Sequence, residues 1–213
     1  DIPMVATKIR RDVVKSVGGK GQPGHLGGSC SSAELVAALY GYKLRYKADD
    51  PQWTGRDKFI YSKGHAAIAQ YAALAEVGYF PREELWAAKQ LGSMLQGHPD
   101  RKKTPGIEAG TGSLGQGLSI AAGMALAMKL DENHDNKVYC IMGDGELAEG
   151  QIWEAAMAAV WRRLWSWKTK VSLSGGCNTI VPRVPHPACI RGELRQVAVS
   201  NLGLLKRALS RSG

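Results

Sequence analysis

The segment that most constrains the fold is Lys137–Met142 (KVYCIM), a mainly apolar run that ends on Gly143-Asp144-Gly145 and leads into a helical pattern from about Gln151. A run of strand length with apolar residues on both faces marks a buried strand. Lys58–Ser62 (KFIYS) is a second strand candidate, closed by Gly64 and followed by an alanine-rich helix over Ala66–Val77. Strands that alternate with helices imply an α/β fold, a parallel sheet with helices on both faces. In such sheets ligands bind at the carboxyl ends of the strands. The residues that follow 62 and 142 are therefore the first places to look for function.

Other elements follow from local signals. A first helix should end near Val17, before Gly18-Gly19. Ser31-x-x-Glu34 has the spacing of a capping box, and Leu35, Ala38, Leu39 and Tyr42 would form the apolar face behind it. Pro81 should open another helix, with Glu83 and Glu84 in its favourable first turn. Gly115–Leu130 reads as a helix whose small residues (Gly117, Ala121, Ala122, Gly123, Ala125) let another backbone approach closely. The stretch from Leu118 to Leu130 carries Ser119, Gly123 and Lys129. It is shorter than the roughly 20 apolar residues a membrane span requires, so no membrane association is expected. No secretory pattern follows Asp1, and the four cysteines show no C-x-x-C spacing. The expectation is a cytoplasmic chain with reduced thiols.

The net charge of +9 could suggest nucleic-acid binding, but its distribution argues otherwise. Residues 1–159 carry 18 basic and 18 acidic groups, so the whole excess lies in residues 160–213, where Glu193 is the one acid. That tail also holds Trp161, Trp165 and Trp167, and Pro182, Pro185 and Pro187 oppose a central strand there. Its basic groups follow no helical period and match no nucleic-acid module, so a nucleic-acid partner is not expected. The chain divides into a neutral domain, 1–159, and a basic tail, 160–213.

Three groups of residues carry chemistry. Gly143-Asp144-Gly145 sets a carboxylate between glycines at a strand end, an arrangement suited to a divalent metal holding phosphate. Glu146, Glu149 and Glu154 crowd the turn and helix that follow, where acids also complement a helix N-terminus. Three of the five histidines directly follow glycine, at His25, His65 and His98, where chance predicts about 0.6 such pairs. Histidine in flexible loops suits proton transfer or phosphate contact. Gly110-Thr-Gly112-Ser-Leu-Gly115 matches the dinucleotide pattern in form only. It lacks a good preceding strand, and Asp135 stands before the next strand rather than at its end. A helix N-terminus offering N–H groups to an anion is the better reading of that loop. There is no G-K-[ST], which excludes a P-loop.

Residues 1 to about 159 resemble the first half of a transketolase, especially the N-terminal subunit of the split, two-chain form. The segments that carry the resemblance are GHLGGS (24–29), RDKFIYSKGHAA (56–67), GYFPREEL (78–85), LGSMLQGHPDRKKTPG (91–106), GTGSLGQGLS (110–119) and GDGELAEGQIWEAAMAA (143–159). The resemblance implies the thiamine-diphosphate-binding fold, thiamine diphosphate and magnesium as cofactors, and sugar-phosphate substrates of the pentose phosphate pathway. It also implies a C-terminal partner subunit in a dimer or larger oligomer. Asp144 would bind Mg²⁺, with Gly143 and Gly145 close to the diphosphate, and His65 would contact that diphosphate. Gly112, Ser113 and Leu114 would lie against the cofactor rings. His25 and His98 would line the sugar channel. Glu149 would meet the partner's catalytic glutamate, with Glu154 in the same acidic network.

The resemblance has two departures. Leu26 stands where the family has proline. The asparagine expected as a second Mg²⁺ ligand, about 30 residues after Asp144, is replaced by Ser174, and Asn178 follows no aliphatic strand. The match stops inside a helix near 159, and the fold should therefore be incomplete at its C-terminal end. A frame error or equivalent replacement of 160–213, leaving a non-catalytic fragment, is the alternative to an active subunit. A deoxyxylulose-phosphate synthase-like enzyme fits the SKGH, LQGHP and GSLGQG segments less well.

Overall fold

The computed structural model describes residues 1–18, 24–162, 164 and 179–180. Helix α1 (Ile2–Val17) buries Ala6, Ile9, Val13 and Val17 along one stripe and ends at Gly18. Asp12 is buried on the same helix and forms an ion pair with Arg82 at 2.6 Å. Two short helices follow, α2 (Leu26–Cys30) and α3 (Ala33–Ala38), the latter running on into a π-turn over Leu39–Lys43.

The start of α3 differs from expectation. Ser32, not Ser31, is the N-cap, and neither forms a capping box. The Ser32 hydroxyl bonds instead to the Tyr61 hydroxyl and the Gly28 and Ser29 carbonyls, and Ser31 turns back to Gly28. Of the two side chains in the local capping pattern, Ser31 thus turns to a local carbonyl and Glu34 pairs with Arg10 of α1. The buried face shifts accordingly to Ala33, Val36, Ala37 and Tyr40, leaving Tyr42 72% exposed.

Strand β1 (Lys58–Tyr61) passes through a 3-10 turn (Gly64–Ala66) into α4 (Ala67–Glu76). Pro81 precedes a 3-10 turn at Arg82–Ala87, and after a long irregular segment comes α5 (Gln116–Leu130). Strand β2 (Val138–Gly143) leads through a 3-10 turn (Asp144–Ala148) to α6 (Gly150–Trp161). The strands β1 and β2 are parallel, with Lys58 opposite Val138 and Tyr61 opposite Ile141. A two-residue strand, β3 (Thr179–Ile180), pairs antiparallel with Met142 and Gly143. Along residues 138–141 the other edge of β2 has no strand neighbour among the described residues.

The sheet separates two cores by its period of two. Phe59, Tyr61 and Ile141 point to a core shared with α1, α3 and α4. Ile60, Cys140 and Met142 point the other way, to Leu118 and Ala121 of α5 and Ile152 and Ala155 of α6. Helices therefore cover both faces, as the sequence implies. Because the strands run in register, the chain leaves both at the same end, and the Ser62 N–H still bonds to the Ile141 carbonyl at 2.8 Å.

Candidate cofactor site at the strand ends

Loop 110–112 lies across the end of β1. The Thr111 hydroxyl donates to the Tyr61 carbonyl at 2.7 Å. Gly64 makes the contact possible, since a Cβ there would sit 2.6 Å from the Thr111 carbonyl carbon. Around this crossing the three glycine-linked histidines gather. The His25 ring, just before α2, meets the His65 ring edge-on at 5.0 Å between centroids. Gly28 leaves room for His65, as a Cβ at Gly28 would lie 3.3 Å from its Nε2. His98 lies over Gly112, where a Cβ would approach its ring to 2.9 Å. Burial pushes the His65 imidazole below its ordinary pKa, the charges of His25 and Lys63 add to this, and Glu146 opposes it. His65 is accordingly neutral near pH 7, able to donate from one nitrogen and accept at the other.

Asp144 and Gly145 emerge at the end of β2, both exposed. Among the described residues no hydrogen bond or ion pair engages the Asp144 carboxylate, and nothing comes within 4 Å of a Cβ built on Gly145. Among the described residues no three of His, Cys, Asp or Glu form a ready-made metal cage. Magnesium is commonly held by one or two carboxylates together with phosphate oxygens and water. An exposed, unengaged Asp144 beside uncrowded backbone has the donor chemistry for that arrangement. Ser113 and Leu114 are exposed just before α5. Glu149, exposed ahead of α6, packs its Cβ 2.8 Å from where a Gly115 Cβ would stand. Glu154 lines a groove between α5 and α6 with Ser119, Ala122 and Gly123, away from the histidine cluster's contacts among the described residues. Ser174 and Asn178 lie outside the described residues.

The sequence places Glu146 among the acids that crowd this turn but gives it no separate role, and it is only 1% exposed although its neighbours Asp144, Glu149 and Glu154 face solvent. Its Oε1 accepts from the Ser62 hydroxyl at 2.5 Å and the Gly115 N–H at 2.9 Å, and its Oε2 accepts from the Gly143 N–H at 2.7 Å. The available signal was positional: a side chain in the first turn after a strand can fold back onto the strand-end N–H. The sequence could not show that Ser62 and Gly115 would be there too.

The histidine cluster and the open Asp-Gly turn stand at the ends of neighbouring parallel strands, where ligands of α/β domains commonly bind. A family model described as transketolase, thiamine diphosphate binding domain, matches residues 4–166, and the chain belongs to this family. It corresponds to the N-terminal, thiamine-diphosphate-binding part of a transketolase-type transferase. A 6-deoxy-6-sulfo-D-fructose transketolase subunit from a Clostridium species is 49% identical, over 98% of this chain and 80% of its own length. An apulose-4-phosphate transketolase subunit from Phocaeicola vulgatus is 44% identical, over 74% of this chain and 55% of its own. The crystal structure of transketolase from Campylobacter jejuni superposes with a TM-score of 0.72 at 34% identity, over 76% of this chain and 26% of that one. The chain thus spans about half of the apulose-4-phosphate relative and a quarter of the Campylobacter jejuni chain.

Proposed function

We propose that this chain is the N-terminal subunit of a magnesium-dependent split transketolase, moving a two-carbon ketol unit from a ketose phosphate to an aldose phosphate. The observation that carries the reading is the gathering of His25, His65 and His98 at the end of β1, the parallel neighbour of the strand that ends on Asp144-Gly145. Thiamine diphosphate, when bound, supplies the carbanion chemistry of ketol transfer. Asp144 would hold Mg²⁺ against the diphosphate, with Gly143 and Gly145 offering close backbone approach. Neutral His65 would hydrogen-bond the diphosphate, and Gly112, Ser113 and Leu114 would lie against the cofactor rings. His25 and His98 would line the sugar channel and exchange protons with substrate oxygens. The Clostridium relative is named for a sulfonated ketose, which makes a sulfosugar donor the first substrate to try beside the sugar phosphates.

A C-terminal partner chain would complete the site, with Glu149 meeting its glutamate and Glu154 alongside. The open face of α5 and α6 supports a partner, since Trp153, Met157 and Trp161 recur there every four residues at 48%, 65% and 83% exposure. No helix among the described residues is long and apolar enough to cross a membrane, and a cytoplasmic setting is part of the proposal.

Calorimetry with thiamine diphosphate and Mg²⁺ tests the assignment. Asp144→Asn should abolish Mg²⁺-dependent binding with the circular dichroism unchanged, because it removes the charged ligand. Parent-like affinity in that variant would refute the metal site.

A second reading, a non-catalytic fragment whose residues 160–213 replace the native continuation, is favoured by the abrupt charge switch at 160. The alignment over 98% of this chain with the Clostridium relative weighs against it. Translation of the other two frames downstream of the Ala159 codon decides. A frame that yields a K-L-x-N-L segment, an aliphatic strand and an asparagine would support replacement.

A further inference from the structure

The buried Glu146 touches three of the segments that bear the site. Through Ser62, Glu146 holds the end of β1, three residues before His65. Through the Gly115 N–H it holds the start of α5, immediately after Gly112-Ser113-Leu114. Through the Gly143 N–H it holds the end of β2, immediately before Asp144. Gly115 is itself in the left-handed region, at φ +87°, so the loop turns sharply into α5 at the point where the carboxylate grips it. A carboxylate only accepts, and all three of these partners donate. The two carboxylate oxygens thus serve three donors that come from three separate parts of the chain.

We infer that Glu146 is a positioning residue. It fixes the spacing between the His65 turn, the 112–114 loop and the Asp144 turn, so that a diphosphate and its metal meet a preformed cradle. The inference rests on the proposed function, in that the cradle is taken to hold thiamine diphosphate with Mg²⁺. Glu146 need not touch the ligand. Its effect passes through the residues it holds, as with groups that orient metal ligands, whose loss commonly costs 10–100-fold in metal affinity.

Two variants of the full 213-residue chain test this by calorimetric titration with thiamine diphosphate at saturating Mg²⁺, alongside the thermal midpoint of the cofactor-free chain. In Glu146→Gln the amide must turn its NH₂ toward either the Gly143 N–H or the Ser62 and Gly115 donors, so one segment is repelled whichever way it lies. The expected result is a folded chain with the dissociation constant raised about tenfold or more. Ser62→Ala removes one donor and leaves the two backbone bonds, and should raise the constant by about threefold. That is the low end of the effect expected from one ordinary hydrogen bond.

A purely structural role would lower the thermal midpoint and leave the constant of the folded fraction where it was. Parent-like affinity in folded Glu146→Gln overturns the inference. Should Glu146→Gln fail to fold, Ser62→Ala decides, and parent-like affinity there overturns it equally. If the parent chain itself binds no thiamine diphosphate, the reading of the site falls first and this inference with it. A parent that binds beside variants that bind equally well refutes the positioning role alone.

Discussion

The two faces of the sheet are built to different standards. On one, α4 buries every residue from Ala67 to Leu74, and α1, α3 and the π-turn after it close over it with Ile9, Val13, Val36 and Tyr40. On the other, α5 buries only Gly117, Leu118 and Ala121, and α6 only Ile152, Ala155 and Ala159. Leu130, Trp153, Met157 and Trp161 remain in solvent on that side. The first face is complete within this chain, and its apolar burial holds the domain together. The second exposes more large apolar surface than a finished face needs, which fits its proposed role as the side that meets another chain.

That contrast can be broken most directly from the closed side. Leu74→Ala removes a side chain that is 0% exposed, and should cost about 3 kcal/mol by denaturant unfolding. A cost below about 1 kcal/mol would mean that this core is not the chain's main support. Next in size is Gly117→Ala, at the seam between the faces. Its new Cβ would stand 2.4 Å from the Ser62 Cβ and Oγ, and overpacking of this kind costs about 1–3 kcal/mol. Since Ser62 donates to Glu146, the same variant should also weaken thiamine diphosphate binding, which calorimetry would show.

A smaller effect is expected at the site itself. The pKa of His65 is depressed in the folded chain, so the unfolded chain binds more protons and stability rises with pH through the window below about pH 6.5. His65→Ala should flatten this slope in thermal unfolding and weaken cofactor affinity, whereas His25→Ala and His98→Ala should act chiefly on turnover in the reconstituted complex. Equal losses of cofactor affinity from all three would contradict this division of roles. The smallest effect on the isolated chain should come from the open side. Met157→Ala ought to change unfolding by no more than about 0.5 kcal/mol, yet weaken association with a C-terminal partner in sedimentation experiments. A large loss of stability would show instead that α6 is finished within this chain.

Much of this was legible in the residues. KVYCIM and KFIYS announced their strands because buried strands are apolar on both faces, and the turn chemistry of Gly18, Gly64 and Pro81 set boundaries close to those observed. The glycine-linked histidines and the Asp-Gly turn were legible as candidates because their local chemistry is unusual. The start of α3 was not. Its Ser31 and Glu34 fit a local capping pattern, but Ser32 found a better partner in Tyr61, a residue distant in sequence.

The sequence by itself determined the α/β class and the residue types available at the strand ends, because each of these depends on local pattern. Only the tertiary structure decided which of the crowded acids would be buried. Glu146 is held by Ser62 and Gly115, which stand 84 and 31 residues away along the chain. Those donors reach one carboxylate only because two parallel strands pair in register and a loop crosses above them. No spacing within the local text encodes a meeting of that kind.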